Sequence, residues 1–203
     1  MRKLIMTMFV TLDGVMQAPG GPDEDKEGGF SKGGWQAQFS SDDFGPIMMD
    51  WFDRAGGFVL GRKTYDIFAS YWPKIGEDNP IAKGFNTRPK YVASTTLKSA
   101  DWAGTTLIAH DVPRAIQKLK DEPGGDLLMF GSGALARSFL QHRLIDLCRL
   151  WVYPAVLGEG KRLFTEGLPY ALRLTESKTL SSGAVVNTYE PGDKLVFKSI
   201  GDA

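Results

Sequence analysis

The chain has 203 residues, enough for one large domain or two small ones built on a substantial core. Apolar residues make up 42% and charged residues 24%, an ordinary globular balance with no run near the roughly 18 apolar residues of a membrane span. The 24 Lys and Arg residues are matched by 24 Asp and Glu, which lacks the basic excess expected of a generic nucleic-acid binder.

The opening MRKLIMTMFV places cations before apolar residues, as a signal peptide does. Its apolar stretch is broken by Thr7 and has no small-residue cleavage site. Leu4, Met6, Met8 and Val10 alternate, so the segment reads as a first strand. Residues 17–34 form a Gly- and acid-rich loop too long for a simple turn, a length typical of lids and excursions. SDDFGPIMMDWFDRAGG reads as a helix, capped by Asp42 or Asp43 and ended by Gly56-Gly57. Residues 58–61 form a second strand, with a short helix beginning near Thr64. PKYVAST and TTLIA read as strands. DVPRAIQKLKDE reads as a helix with Asp111 as N-cap and Pro113 in its first turn. DLLMF is a strand that runs into GSG and the helix ALARSFLQH. Beyond residue 145 the segments LCRLWVYPAVL, ALRLTESKTL, AVVNTYE and KLVFKSI are all strand-like, and SSG marks a hairpin turn. Strand and helix alternate first and strands follow, which predicts a mainly parallel sheet with antiparallel C-terminal additions. Without a repeat or a composition break, residues 1–203 read as one domain. The lone Cys148 can form no intrachain disulfide and points to a reducing, cytoplasmic interior. His110 and His142 stand far apart without cysteine companions, so no metal site is expected.

Two strand ends carry the chemistry. Gly61-Arg62-Lys63-Thr64 lies where a strand gives way to a helix, and unpaired N–H groups with the helix dipole favour an anion there. The competing reading is solvated cations and a Thr64 that only caps. The stretch nearly matches a P-loop but departs from it: Arg62 interrupts the spacing, and the residues between Gly56 and Gly61 read as strand rather than as a phosphate cradle. The second strand end, GSGALA at 131–136, has the spacing and context of a dinucleotide turn. It lacks the acidic residue that should close the next strand, so a purely structural turn accounts for the glycines equally well. Together the two turns can share the carboxyl edge of one sheet, joined by Ser94 and Thr95 at a third strand end. Arg62 with these hydroxyls suits a ribose 2′-phosphate and favours NADPH over NADH.

These residues, in this order, resemble the dihydrofolate reductase-like superfamily, closest to stand-alone relatives of the reductase domain of bacterial riboflavin biosynthesis. The matching pieces are TLDG at 11–14, LGRKTY at 60–65, VASTTL at 92–97 and FGSGALARSFLQHRLIDLCRLWVYPAVLGEGKRLF at 130–164. The resemblance implies a three-layer α/β fold: a central, mainly parallel sheet with antiparallel C-terminal strands and helices on both faces. NADPH would cross its carboxyl edge. It assigns the pyrophosphate to Gly61, Arg62, Lys63 and Thr64 with Gly131, Ser132, Gly133, Ala134 and Leu135. Ser94 and Thr95 would face the adenine-side ribose phosphate, loop 17–34 would cover the nicotinamide, and a homodimer is implied. The substrate half departs from the family pattern. Met48 stands where folate reductases carry an acid, two to three residues before a pair like Trp51-Phe52, and Phe130 stands where riboflavin reductases commonly carry a glutamate. The candidate catalytic groups are Asp13 and Asp50, each with a bland alternative: a turn residue and an exposed helix residue. Met48 and Trp51 are candidates for the substrate pocket. The expected activity is hydride transfer to a flat, small-molecule heterocycle such as a pterin, a pyrimidine of the riboflavin pathway or a flavin, with no nucleic-acid or membrane partner. The alternative is a nucleotide- or heterocycle-binding module on the same fold, without turnover.

Overall fold

The computed structural model of the chain describes residues 1–76, 78–164, 169–193, 195–199 and 201. The strands are β1 (Leu4–Thr11), β2 (Ala55–Gly61), β3 (Lys90–Ala93), β4 (Thr105–Ile108), β5 (Asp126–Phe130), β6 (Leu147–Tyr153), β7 (Leu172–Thr179) and β8 (Val185–Pro191). They form one sheet in the order β4-β3-β2-β5-β1-β6-β8-β7. All pairings from β4 across to β6 are parallel, and the β6–β8 and β8–β7 pairings are antiparallel.

Alternation along each strand sends one set of side chains to each face. On one face, Phe58, Leu60, Phe130 and Trp151 pack under α1 (Phe44–Asp53), α2 (Arg62–Tyr71) and α3 (Pro80–Thr87). Phe85 of α3 joins Phe58 and Phe52 of α1 there, with ring centroids 4.6 and 4.9 Å away. The other face is aliphatic: Leu4, Met6, Met8, Leu127 and Met129 pack against Ile116 of α4 (Val112–Asp121) and Ala136 and Phe139 of α5 (Gly133–Gln141). The result is a three-layer architecture: the mainly parallel sheet that the pattern of elements predicts, with helices on both faces as the resemblance implies.

The differences from expectation are local. Gly56 and Gly57 do not end α1; Arg54 does, and the glycines open β2. A Cβ on Gly56 would lie 2.5 Å from the Gly125 carbonyl oxygen, so a close strand approach explains this glycine. Asp43 holds the N-cap position of α1 but caps nothing in that helix. Its carboxylate instead accepts the backbone N–H and the hydroxyl of Ser181 in the hairpin turn, at 2.8 and 2.7 Å. Asp111 stands at the N-cap of α4 in a left-handed conformation, likewise without a side-chain bond. Helix α3 is an element the pattern reading passes over. Among the described residues of the KLVFKSI segment there is no strand; Leu195, Val196 and Phe197 are exposed coil.

Strand lengths set the position of the site. β5 stops at Phe130, opposite Thr7, while β1 runs on to Thr11. The helices that follow, α1 after β1 and α5 after β5, leave to opposite faces. Neighbouring strands whose connections diverge in this way leave a crevice at their carboxyl ends, where ligands of such sheets bind.

Candidate functional site

Two strand-to-helix turns meet in this crevice. The Gly61 N–H donates to Ser132 Oγ at 2.8 Å, and Thr64 Oγ1 lies 2.7 Å from the same oxygen. Ser132 therefore bolts the turn after β5 to the turn after β2. The approach leaves no room for side chains. A Cβ on Gly61 would fall 2.7 Å from Ser132 Oγ, and one on Gly131 would fall 2.9 Å from Thr64 Oγ1. Gly131 and Ser132 both have left-handed backbones, with φ of +57° and +59°, and bend the chain so that α5 starts at Gly133. Ala134 and Leu135 complete its first turn. The first N–H groups of α2 and of α5 lack acceptors within their own helices, and both helix dipoles favour negative charge between them.

Arg62 is exposed and turns sideways. Its Nη1 donates to Thr96 Oγ1 at 2.7 Å, and its Nε lies 3.4 Å from Asp66. Ser94, just past the end of β3, accepts the Thr96 and Leu97 N–H groups and fixes that turn, with Thr95 exposed within it. The structure thus brings Arg62 to the 94–96 hydroxyls, and Thr96 is a member of the cluster that the sequence reading omits.

Lys63 is engaged from across the crevice. Its ammonium pairs with Glu27 and lies 3.9 Å from Asp25, both in loop 17–34. Lys161 binds the same two carboxylates, each at 2.6 Å. Hydrogen bonds from Lys161 and then Lys63 hold the Glu27 carboxyl down at about 2. Gln17 anchors the loop base through the carbonyls of Asp25 and Glu27, and Trp35 Nε1 donates to the Gln17 carbonyl at 2.8 Å. Met16 stands over Gly133, where a Cβ would meet its sulfur at 2.7 Å. Neither Met16 nor these acids carried a local sequence signal, because their partners lie far away in the chain.

The candidate acids are placed apart from one another. Asp50 is on the exposed side of α1, 2.9 Å from Arg54 one turn on. Asp13 follows β1 and accepts from Thr11 Oγ1 at 2.5 Å and from the N–H groups of Leu157 and Gly158 at 3.3 and 2.9 Å, with Arg162 3.6 Å away. The Thr11 hydroxyl, helped by those amides, holds its carboxyl at about 2, against the opposing effect of burial. Such a group is a carboxylate at neutral pH and has no proton to give. Met48 and Trp51 face inward from α1 and are buried. Among the described residues no group of three His, Cys, Asp or Glu could hold a metal, and no helix is long and apolar enough to cross a membrane.

Comparison with known proteins bears on the family and the fold. The protein YyaP of Bacillus subtilis (strain 168) is 29% identical over 196 residues, covering 93% of this chain and 94% of YyaP. Among solved structures, a putative riboflavin biosynthesis protein from Shewanella sp. PV-4 superposes with a TM-score of 0.68 at 21% identity, over 94% of this chain and 99% of that one. Dihydrofolate reductase from Enterococcus faecalis, solved with NADP(H), superposes with a TM-score of 0.55 at 14% identity, over 94% of this chain and 97% of that one. The fold is therefore dihydrofolate reductase-like. The model of the RibD C-terminal domain family matches residues 2–186, and the chain belongs to that family.

Proposed function

We propose that the protein is an NADPH-dependent reductase that passes hydride to a flat heterocycle: a pterin, a pyrimidine of the riboflavin pathway or a flavin. The observation that carries this reading is the Ser132 bolt, which sets two helix starts and two glycine turns, at Gly61 and Gly131, against one another at the carboxyl edge. The cofactor fits these residues. Gly61, Thr64, Gly131, Ser132, Gly133, Ala134 and Leu135 would hold its pyrophosphate, with Lys63 as the nearby charge. Arg62, Ser94, Thr95 and Thr96 would take the ribose 2′-phosphate. When bound, the nicotinamide supplies the hydride; the protein's share is to orient the two rings and exclude water. Met48 and Trp51 belong to the substrate side, under α1. With Asp13 ionised and Asp50 paired at the surface, the proton is assigned to an ordered water.

The test is calorimetric titration with NADPH and NADH. Arg62→Ala is expected to weaken NADPH about tenfold or more, the loss of one charge-assisted bond, and to leave NADH nearly unchanged. Equal loss for both coenzymes, or no binding of either by the wild type, rejects the reading. The state of the two acids favours a second reading, a binding module without turnover. NADPH oxidation with any of the three heterocycle classes excludes it. A cytoplasmic homodimer remains part of the proposal. It is supported by the free thiol of Cys148 and by β7, an edge strand whose Leu174 is exposed; sedimentation velocity tests the dimer.

A further inference from the structure

Below the dinucleotide turns, the face of the sheet under α1 carries three buried polar groups, each able to donate a hydrogen bond, that have no partner among the described residues. Thr7 on β1 and Arg149 on β6 are Cα partners in the parallel register, and Trp151 stands two residues beyond Arg149. Alternation sends all three side chains to one face, and their ring contacts agree: the Arg149 guanidinium lies 4.1 Å over the Trp51 ring, and Trp51 meets Trp151 edge to face at 5.8 Å. Thr7 is 1% and Trp151 0% exposed. Thr7 Oγ1, Arg149 Nη1 and Trp151 Nε1 are sealed from solvent without a hydrogen-bond partner among the described residues. No carboxylate among those residues forms an ion pair with Arg149. Desolvation leads the causes that lower its guanidinium to about 10.

Buried donors are nearly always paired in folded proteins, so three orphans at adjacent positions call for an occupant. A water molecule could accept from Arg149 and Trp151 and give one hydrogen to the Thr7 oxygen, but it leaves its second hydrogen without an acceptor among these side chains and the guanidinium charge unbalanced. An anionic oxygen needs no acceptor and balances the guanidinium charge. The location is also distinctive. Thr7 is the Cα partner of Phe130, the residue immediately before the Gly131 turn, so the donors begin directly beneath the cofactor end of the crevice.

We propose that Thr7, Arg149 and Trp151 form the specificity-determining wall of the substrate pocket, and that it takes a flat ring whose edge presents only acceptor oxygens, at least one of them anionic. The ring stacks where Trp51 now covers Arg149. A ring read by its own N–H donors, as a carboxylate would read it, is refused, because donor then faces donor. This inference deepens the reductase reading and rests on it for the chemistry, but the binding it asserts is independent of NADPH.

The experiment titrates the purified protein by calorimetry with two probes, orotate, a planar pyrimidinedione carboxylate, and 2,4-diaminopyrimidine, whose edge is rich in donors. Orotate is expected to bind and the diaminopyrimidine to bind at least tenfold more weakly. Thr7→Val and Trp151→Phe remove a donor with little change of shape, and each is expected to weaken orotate about tenfold; Arg149→Met should weaken it further. Absence of orotate binding to the wild type overturns the inference, as does equal affinity of both probes or unchanged orotate affinity in the Thr7 and Trp151 variants. A parallel NADPH titration of the wild type separates the two claims. NADPH without orotate binding removes this inference alone, and orotate without NADPH binding removes the reductase reading alone.

Discussion

Asp13 shows how one residue can look catalytic in sequence and be structural in space. It lies just past β1 beside the crevice, where a proton donor would be wanted, yet its bonds fix the turn after β1 and hold the segment 157–162 against that turn. Thr11, Leu157 and Gly158 donate to its carboxylate, and Arg162 Nε donates to its carbonyl at 2.9 Å. The turn reading of TLDG was available from Asp-Gly chemistry, but not the partners Leu157, Gly158 and Arg162, which lie more than 140 residues away. A carboxyl lowered from 3.8 to about 2 on folding contributes stability that is fully present above its ordinary value and disappears as pH falls through the folded value. The urea midpoint of the wild type should therefore exceed that of Asp13→Asn at pH 6, and the gap should close between about pH 4 and pH 2. A gap that is constant across this range would show that the carboxylate charge does not hold the segment.

Among the elements, what could be read depended on whether the signal was local. The strands and α4 and α5 announce themselves by period, and α1 and α2 by period plus a strand end. Helix α3 also had a local signal: Asn79 Oδ1 accepts the N–H groups of Ile81 and Ala82, both at 3.0 Å, and Pro80 opens the helix. The KLVFKSI segment has strand composition, but a strand also needs a partner, and periodicity cannot supply one. Loop 17–34 is the mixed case. Its length marked it as a lid or an excursion, while its clamp, Asp25 and Glu27 on Lys63 and Lys161, is long-range and invisible in sequence. That clamp places carboxylates on the one lysine of the Gly61–Thr64 turn, so phosphate and Glu27 would compete for Lys63. Exposed ion pairs are weak and screened by salt, so the competition is mild. Glu27→Gln is expected to tighten NADPH by no more than about fivefold, and added salt should narrow the difference between variant and wild type. Weaker NADPH binding by the variant would instead make Glu27 a part of the closed site.

At the scale of the whole molecule, the sheet separates two cores with different work. The α1–α2–α3 face is aromatic, and Phe52, Phe58, Phe85 and Phe130 meet there with centroids between 4.6 and 6.1 Å apart. Phe130 is the last residue before the Gly131 turn, so this cluster supports the crevice from below. Composition alone showed that such a core was possible and alternation showed two faces; only the strand order shows that the aromatic one lies beneath the turns. On the opposite face, Ile116 of α4 is also fully buried, in the aliphatic core. Truncating either residue leaves a cavity. Phe52→Ala is expected to lower stability by about 3–5 kcal/mol and Ile116→Ala by about 2–5 kcal/mol. Their effects on binding should differ. With temperature chosen so that both variants remain folded, Phe52→Ala should weaken NADPH because Phe130 loses the ring it packs against, 6.1 Å away between centroids. Ile116→Ala should bind it as the wild type does. Equal loss of affinity in both would mean that the crevice depends on global stability and not on the aromatic support beneath it.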